Sequence, residues 1–251
     1  MNIIYRIRGI CRLCNLFVFT LYYLILTVRG VRSGISIAEG LEIRRKWSEG
    51  FVKRLGFRIE WEGSFSEDET YLFVGNHRCS LDPQVVMAKI KAFPVSRAEV
   101  RNWPLVGKGS AATGIIFVDK SSKESRSQVK SILLDEMRKG NSVLIFPEGQ
   151  TNINPTTTTF QKGSFEQAAT GGFSVVPFVI EYKDTRDYWD HTDSFAVHLI
   201  KRFGKPVTHV KVVFGPSLAS ENAWTLLRSS QKWIDDKIME VREKWDSSAQ
   251  V

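Results

Sequence analysis

Short apolar segments alternate with amphipathic ones from residue 58 to the end of this 251-residue chain. Runs typical of strands, rich in Val, Ile and Phe, occupy 58–61, 71–74, 93–96, 114–118, 142–146, 173–182 and 209–214. Helical patterns begin at Asp82-Pro83, cover 122–139 and 165–170, and begin again near Ser220. Because strands that alternate with helices build layered folds, we predict an α/β protein whose mixed sheet is flanked by helices.

An uncharged apolar stretch at 13–28 precedes this region, between Arg12 and Arg29. As a helix rising about 1.5 Å per residue it would cover about 24 Å, less than a hydrocarbon core of about 30 Å. No small-residue cleavage site follows, as a signal peptide would require. Arginines at both ends can reach the membrane surface from a helix that dips into one leaflet or barely spans the bilayer. Basic residues on both flanks give no clear orientation signal, which favours the helix that dips into one leaflet. A buried helix of a soluble core is the alternative.

The positive charge of the chain lies around this stretch. The formal net charge is +8, and residues 1–58 hold eleven Lys and Arg against three Asp and Glu. The other residues hold the remaining 24 basic and 24 acidic side chains. Residues 59–251, called the body of the protein below, therefore carry no net charge. This argues against nucleic-acid binding, since following a phosphate backbone needs basic residues across a folded surface. We therefore expect the basic segment to bind membrane lipids.

A second helical pattern at 36–57 carries an apolar stripe with most of its charge opposite, although Ile43 and Arg44 break the pattern. Trp47 and basic residues beside the stripe suit a helix on a membrane surface, but an ordinary surface helix has the same pattern. We therefore predict a membrane-binding helical segment at 1–57 and a second domain at 58–251. The side chains expected at the membrane are Arg12, Phe17, Phe19, Tyr22, Tyr23, Arg29 and Trp47.

The cysteines indicate neither a disulfide framework nor a metal site. Cys11 and Cys14 form a C-x-x-C pair at the edge of the apolar stretch, with no second pair to complete a metal site. We predict that they pack as small apolar side chains, and that the chain suits a reducing compartment.

Polar residues follow the strand at 71–74. Gly75 is followed by Asn76 and His77, and five residues after the histidine comes Asp82, the expected N-cap of a helix. The loop can fold the Asp82 carboxylate against one imidazole nitrogen, which fixes the tautomer and leaves the other nitrogen as a general base. This is the base half of a catalytic triad without the serine. Taken alone, a histidine and an aspartate in a loop are more often structural.

A second strand, at 142–146, runs into Pro147, Glu148 and Gly149. Groups at the carboxyl ends of strands in a sheet enzyme converge on one crevice, so Glu148 is expected near His77 and Asp82. A solvated acid in a turn is the alternative.

These segments together resemble the glycerolipid acyltransferases typified by 1-acylglycerol-3-phosphate acyltransferase. The family motif N-H-x-x-x-x-D matches 76–82, and F-P-E-G matches 146–149. A third motif, G-x-x-F-x-x-R, matches 114–120 except that Lys120 replaces the arginine, and a hydrophobic strand with a central proline matches 175–180. The resemblance covers about residues 70–182 and identifies 58–251 as an acyltransferase domain. Family members also often carry an N-terminal helical pair that dips into the membrane.

The resemblance implies transfer of an acyl group from acyl-CoA or acyl-carrier protein to the hydroxyl of a lysolipid, with no cofactor besides that donor. His77 would deprotonate the hydroxyl and Asp82 would orient the imidazole. The active site would lie on the cytoplasmic face of the membrane. A thiol nucleophile at Cys79 is disfavoured because this motif position varies in the family. The implied substrate-binding residues are Asn76, Lys120, Arg126, Glu148, Gly149 and Lys162.

Lys120 affects the expected acceptor, because lysine lacks the two-pronged hydrogen bonding that arginine offers a phosphate. Phosphate binding would pass to Arg126, or the acceptor carries another head group. Gln150, where threonine is usual in the family, points the same way. We expect 1-acyl-sn-glycerol-3-phosphate as acceptor and phosphatidic acid as product. The alternative is another lysolipid, either a lyso-amino-acid lipid or a lysophospholipid in remodelling. Backbone N–H groups near Gly149 or at 175–178 are candidate oxyanion donors.

Overall fold

The computed structural model describes residues 3–99, 113–119 and 122–248. Its strands are β1 Phe57–Glu62, β2 Tyr71–Gly75, β3 Phe93–Arg97, β4 Ile116–Val118, β5 Val143–Ile145, β6 Ser174–Tyr182 and β7 Thr208–Phe214. Its helices are α1 Ile3–Arg32, α2 Ile37–Arg54, α3 Asp82–Met87, α4 Lys123–Arg138, α5 Gly163–Gly171, α6 Phe195–Gly204 and α7 Ala223–Ser248, and a 3-10 turn covers Thr185–Asp187.

The strands of the described residues form one sheet in the order β1-β7-β6-β2-β5-β3-β4. Neighbouring strands run parallel except β6 and β7, which are antiparallel. The mixed α/β sheet predicted from the sequence is therefore confirmed. All seven predicted strands are present, with ends that differ by at most two residues from those expected.

The central strand β2 is buried along its whole length and has β5 and β6 on its two sides. Val74 pairs with Ile145 on one side and with Pro177 on the other. The carboxyl ends of β2 and β5 therefore lie side by side. The pairing of β2 with β6 ends at Gly75 and Phe178, so the last residues of β6 extend past the end of β2.

Helix α6 was missing from the sequence prediction. Its ten residues contain an apolar run that is too short to show a helical period, and it follows a polar segment rich in aspartate. Ser194 caps its first turn by accepting a hydrogen bond from the backbone N–H of Val197.

The N-terminal helical pair is present, and α1 extends well beyond the apolar stretch at 13–28. By length and composition α1 could cross a membrane. A turn leads into α2, which begins with a capping box between Ser36 and Glu39. The two helices are in contact where the Trp47 Nε1–H donates to Thr20 Oγ1 at 3.2 Å. Nearby, the Arg54 guanidinium lies 3.7 Å from the centre of the Phe19 ring.

Helix α2 also packs into the body of the protein. Arg44 is buried, and its guanidinium donates to the backbone carbonyls of Ala92 and Thr113. Burial lowers the pKa of Arg44 to about 9. The break in the amphipathic pattern at Arg44 therefore marks a contact with the body. Val52 and Leu55 belong to the same core cluster as the central strand, so residues 1–57 share a hydrophobic core with the rest of the chain.

Arg12, one of the side chains predicted at the membrane, contacts the rest of the protein. Its guanidinium donates to the carbonyl oxygens of Phe203 at 3.2 Å and Pro206 at 2.9 Å, beside the end of α6. The carbonyl of Phe203, in the last turn of α6, lacks a partner within its own helix, so a nearby arginine is well placed to satisfy it.

The other side chains predicted to bind the membrane divide into two groups. Phe17, Tyr22 and Arg29 are exposed along α1. Phe19, Tyr23 and Trp47 are partly buried where α1 and α2 meet, with the rings of Phe19 and Tyr23 4.8 Å apart. Of these six side chains, only those of the first group are exposed.

Candidate active site

The centre of the site is a contact between His77 and Asp82 in the loop that follows β2. His77 Nδ1 lies 2.8 Å from Asp82 Oδ2, and the same oxygen accepts the backbone N–H groups of Arg78 at 2.6 Å and Cys79 at 2.9 Å. Asp82 Oδ1 accepts the hydroxyl of Tyr182 at 2.6 Å. Asp82 is fully buried, whereas the His77 side chain is 17% exposed. The pairing that the sequence predicted is therefore present.

Asp82 is not the N-cap of α3, contrary to the sequence prediction. It is the first residue of the helix, Leu81 occupies the cap position, and no side chain caps the helix there. The reason is that the Asp82 carboxylate turns back to the residues before it and accepts from the loop that carries His77.

The His77 ring is held in its plane by Phe146, the last residue before the turn after β5. The two rings are stacked, with centroids 4.3 Å apart and an angle of 23° between their planes. With Nδ1 directed at Asp82 and one face covered by Phe146, Nε2 is the ring nitrogen left for a substrate. The sequence placed Phe146 in a motif but did not assign this contact.

Glu148 lies beside His77, as predicted, but contacts its main chain. Its Oε1 accepts the backbone N–H of His77 at 3.1 Å. Its Oε2 accepts from the backbone N–H and the hydroxyl of Thr158, both at 2.8 Å, and from the side chain of Asn152. The carboxylate is buried, which excludes the solvated turn acid. Glu148 therefore ties the His77 loop to the loop at 152–158.

Asn76, predicted to bind substrate, has its side chain engaged within the protein. It is fully buried, and its amide nitrogen donates to the carbonyl of Ile180 at 2.9 Å. Its amide oxygen accepts the backbone N–H of Ile180, also at 2.9 Å. The side chain therefore takes the place of a strand partner where β6 extends past β2, and it fixes the start of the loop.

A buried ionic network beneath the loop was missed by the sequence analysis. Arg78 Nε donates to Glu181 Oε1 at 2.6 Å, and Arg242 Nε donates to the other oxygen of Glu181 at 2.8 Å. Arg78 also donates to the side chain of Asn152 at 2.9 Å and to the carbonyl of Asn154 at 2.6 Å. Burial raises the pKa of Glu181, and the two arginines oppose that shift. The only sequence signal for this network was Glu181, a single acid within the apolar strand β6.

Gly149 forms the turn after β5 with a positive φ of 74°, which favours glycine. Its N–H donates to the carbonyl of Phe146 at 2.9 Å, so it is not free to bind an oxyanion. The N–H of Val175 is likewise taken by the carbonyl of Leu218, and position 177 is a proline with no N–H. The N–H groups of Gly149 and Val175 are therefore engaged within the protein.

Of the three basic residues predicted to bind substrate, the structure describes the side chain of Lys162 only. Lys120 and the side chain of Arg126 lie outside the described residues. Lys162 is close to the F-P-E-G turn, because the N–H of the preceding residue, Gln161, donates to the carbonyl of Pro147 at 2.9 Å. The Lys162 ammonium lies 3.2 Å from a carboxylate oxygen of Glu166.

Cys79 is buried within the loop between His77 and Asp82. Burial raises the pKa of its thiol to about 12, and the charge of Asp82 acts in the same direction. Its Sγ lies 3.4 Å from His198 Nε2. A thiol this hard to ionise is a poor nucleophile, in agreement with the sequence interpretation. In the described part of the chain, no group of three or more His, Cys, Asp or Glu is placed to hold a metal ion.

Comparison with known proteins finds an acyltransferase family model that matches residues 57–181. A lyso-ornithine lipid O-acyltransferase from Pseudomonas aeruginosa is 30% identical over 141 residues, which cover 56% of this chain and 54% of that protein. A 1-acyl-sn-glycerol-3-phosphate acyltransferase from Borreliella burgdorferi is 29% identical over 130 residues, which cover 50% of this chain and 52% of that protein. The chain thus spans about half the length of the curated relatives it matches.

The fold is similar to the crystal structure of the 1-acyl-sn-glycerophosphate acyltransferase PlsC from Thermotoga maritima. The TM-score is 0.67 at 16% sequence identity, and the match covers 92% of this chain and 98% of that one. A likeness at this level of identity concerns the architecture, which the two chains share over nearly their whole length.

Proposed function

We propose that the chain is a glycerolipid acyltransferase, a member of the acyltransferase family whose model it matches at 57–181, and that it transfers a fatty acyl group from a thioester donor to the free hydroxyl of a lysolipid at a membrane. The observation that carries this proposal is the contact between His77 Nδ1 and Asp82 Oδ2 at 2.8 Å. A histidine held at one nitrogen by a buried carboxylate presents its other nitrogen as a general base.

In the reaction we propose, His77 Nε2 takes the proton of the acceptor hydroxyl as that oxygen attacks the thioester carbonyl. Asp82 stabilises the positive imidazolium that results. The tetrahedral intermediate then expels the thiolate of CoA or of the acyl-carrier protein. That thiolate takes the proton from His77, which restores the neutral imidazole. An ester forms, a thioester breaks, and no acyl group becomes attached to the enzyme.

The surrounding residues support this mechanism by holding the base in position. Phe146 fixes the plane of the His77 ring, and Glu148 holds its backbone N–H. We therefore assign Glu148 a positioning role, because both of its oxygens are engaged within the protein. We keep Lys120, Arg126, Gly149 and Lys162 as candidates for binding the acceptor.

For the acceptor we propose 1-acyl-sn-glycerol-3-phosphate, which would give phosphatidic acid. A lyso-ornithine lipid is a second candidate, favoured by the relatives that carry this name and by the lysine at position 120. Lys120→Arg should tighten binding of a phosphate-bearing acceptor and leave binding of a zwitterionic acceptor unchanged.

We further propose that residues 1–57 hold the acyltransferase domain, 58–251, at the membrane. The exposed apolar side chains along α1 and its basic residues support this role. Because the thioester donor is water-soluble and made in the cytoplasm, we place the active site on the cytoplasmic face.

The test is to incubate membranes containing the protein with a labelled acyl-CoA or acyl-carrier protein and one lysolipid at a time. If 1-acyl-sn-glycerol-3-phosphate is the acceptor, we expect labelled phosphatidic acid. If a lyso-ornithine lipid is the acceptor, we expect labelled ornithine lipid. Membranes containing the His77→Ala protein are the matched control. If neither lysolipid is labelled above that control, the proposed function is wrong.

A further inference from the structure

Helix α6 places apolar side chains on the surface of the body. Val197 is 40% exposed and Ile200 is 54% exposed, and they lie one turn apart on the same side of the helix. His198 and Arg202 are buried on the opposite side. A surface helix with isoleucine and valine turned outward has an apolar face that the protein itself does not cover.

This face adjoins the first turns of α1. The Tyr5 hydroxyl donates to the carbonyl of Lys201, and the Arg8 guanidinium donates to the carbonyl of Gly204 at 3.1 Å. A side chain added at Gly9 would meet the backbone of Gly204 at 3.6 Å, which shows that the two helices approach closely. The same turns of α1 carry exposed apolar side chains of their own, at Ile3, Ile4, Ile7, Ile10 and Leu13. The exposed apolar face of α6 therefore lies beside the part of α1 that carries these side chains.

Positive charge lies beside this surface on α1, and Asp193, just before α6, is paired with Lys201. No Asp or Glu occurs before Glu39, while Arg6 and Arg8 lie on the turns of α1 that dock on α6. Apolar side chains flanked by arginines are the pattern of a helix lying at the level of the lipid head groups.

We propose that α6 lies on the membrane together with α1, with Val197 and Ile200 inserted among the lipids of an anionic bilayer. The body of the protein then contacts the membrane directly and is not only tethered by its N-terminal helices. The lipid contact itself is independent of the proposed function, and only its consequence for catalysis rests on it.

That consequence follows from the buried side of α6. His198 Nε2 lies 3.4 Å from the Sγ of Cys79, which belongs to the loop between His77 and Asp82. The membrane surface and the catalytic loop would thus be separated by about the width of one helix, roughly 10 Å. An acceptor lipid would reach His77 while its acyl chain stays in the bilayer.

The test uses the full chain in vesicles of phosphatidylethanolamine and phosphatidylglycerol. Exposed Cys11 and Cys14 are changed to serine, buried Cys79 is kept, and a single cysteine is labelled with a fluorophore that responds to water. The two test positions are Ile200→Cys and Val197→Cys. Controls of similar exposure elsewhere on the body are Ile132→Cys on α4 and Met239→Cys on α7. Phe17→Cys reports on α1. Lipids with a spin label near the head group serve as quenchers.

We expect the labels at 200 and 197 to be quenched several-fold more strongly than those at 132 and 239, with blue-shifted emission. If the label at 17 is quenched while those at 200 and 197 behave like the controls, α1 anchors the protein but the inference about α6 is wrong. If the label at 17 is not quenched either, the membrane role of α1 fails as well. If the label at 200 is protected from water but is not quenched by the spin-labelled lipids, and the protein cross-links to a second copy, this face belongs to a dimer and the proposal is overturned.

Discussion

The hydroxyl of Tyr182 donates to Oδ1 of Asp82 at 2.6 Å, the carboxylate oxygen that does not contact His77. This contact exists because β6 extends past the end of β2 and carries its last residue over the loop. Burial raises the pKa of Tyr182 well above its ordinary value, with the charge of Asp82 adding to the shift. The phenol therefore stays protonated and remains a donor, and Asp82 is held at both oxygens.

We therefore expect Tyr182→Phe to slow catalysis. Without the hydroxyl, Oδ1 of a fully buried carboxylate loses its side-chain donor, a change that costs about 1–3 kcal/mol. If this loss of free energy disturbs the orientation of the His77–Asp82 pair, kcat should fall by roughly tenfold or more, since about 1.4 kcal/mol is one factor of ten. The KM for the acceptor should change little. Steady-state kinetics on mixed micelles measure both constants.

Tyr188→Phe is the matched control, because that hydroxyl also contacts a buried carboxylate, Glu181, but does not contact Asp82. It should lower the free energy of unfolding and leave kcat nearly unchanged. Equal losses of kcat in the two variants would contradict a specific role for Tyr182 in positioning Asp82.

His77→Ala should abolish acyl transfer while the protein still partitions to membranes. Removing a general base costs about 10²- to 10⁴-fold in rate. The measurement is turnover of labelled donor, together with the fraction of protein that sediments with vesicles. His209→Ala removes an exposed histidine on β7 and should have no effect on either. Turnover by His77→Ala close to that of the unchanged protein would refute the general-base assignment.

Much of this arrangement could be predicted from the sequence. Most strands of the sheet are apolar runs of ordinary length, and β1 alternates apolar with charged side chains, so the α/β class follows from periodicity. The contact of His77 with Asp82 follows from their spacing of five positions in the loop at the end of a strand. These features depend on neighbours along the chain, which is where sequence patterns are informative.

The partners of the site from distant parts of the chain could not be predicted in the same way. Tyr182, Glu181 and Arg242 are brought to the loop by the register of β6 and by the packing of α7. Arg12 shows the same limit, because an arginine next to an apolar run looks the same whether it faces lipid or the end of another helix. Only the three-dimensional packing distinguishes the two.

The buried network beneath the loop should contribute to stability. Glu181 lies between Arg78 and Arg242, and both Glu181 and Arg78 are inaccessible to solvent. Because removing one partner leaves a buried charge uncompensated, we expect Glu181→Gln to lower the free energy of unfolding by about 3–5 kcal/mol. Denaturant titration in detergent micelles measures the change.

Glu60→Gln on β1 is the control for this variant, since Glu60 pairs with Lys211 at 2.9 Å but its side chain is 63% exposed. Exposed pairs contribute at most about 1 kcal/mol. A loss at Glu181 no larger than that at Glu60 would show that the buried network adds little to stability.

His198 should make the stability of the protein depend on pH. Burial lowers the pKa of His198 to about 4, against about 6.5 for an unfolded chain. The folded protein therefore keeps this imidazole neutral, and its contribution to stability is complete above pH 6.5 and lost as the pH falls toward 4. Between pH 7 and pH 5 the unfolded state alone gains the proton, which costs about 2 kcal/mol of stability.

His198→Phe keeps an aromatic ring against Trp189, whose ring centroid lies 5.3 Å away, but cannot bind a proton. The drop in unfolding free energy between pH 7 and pH 5 should therefore be about 2 kcal/mol smaller in this variant than in the unchanged protein. His209→Gln, at an exposed position, should keep the original drop. Denaturant titrations of all three proteins at both pH values decide the matter, and parallel behaviour of His198→Phe and the unchanged protein would show that His198 is not buried neutral.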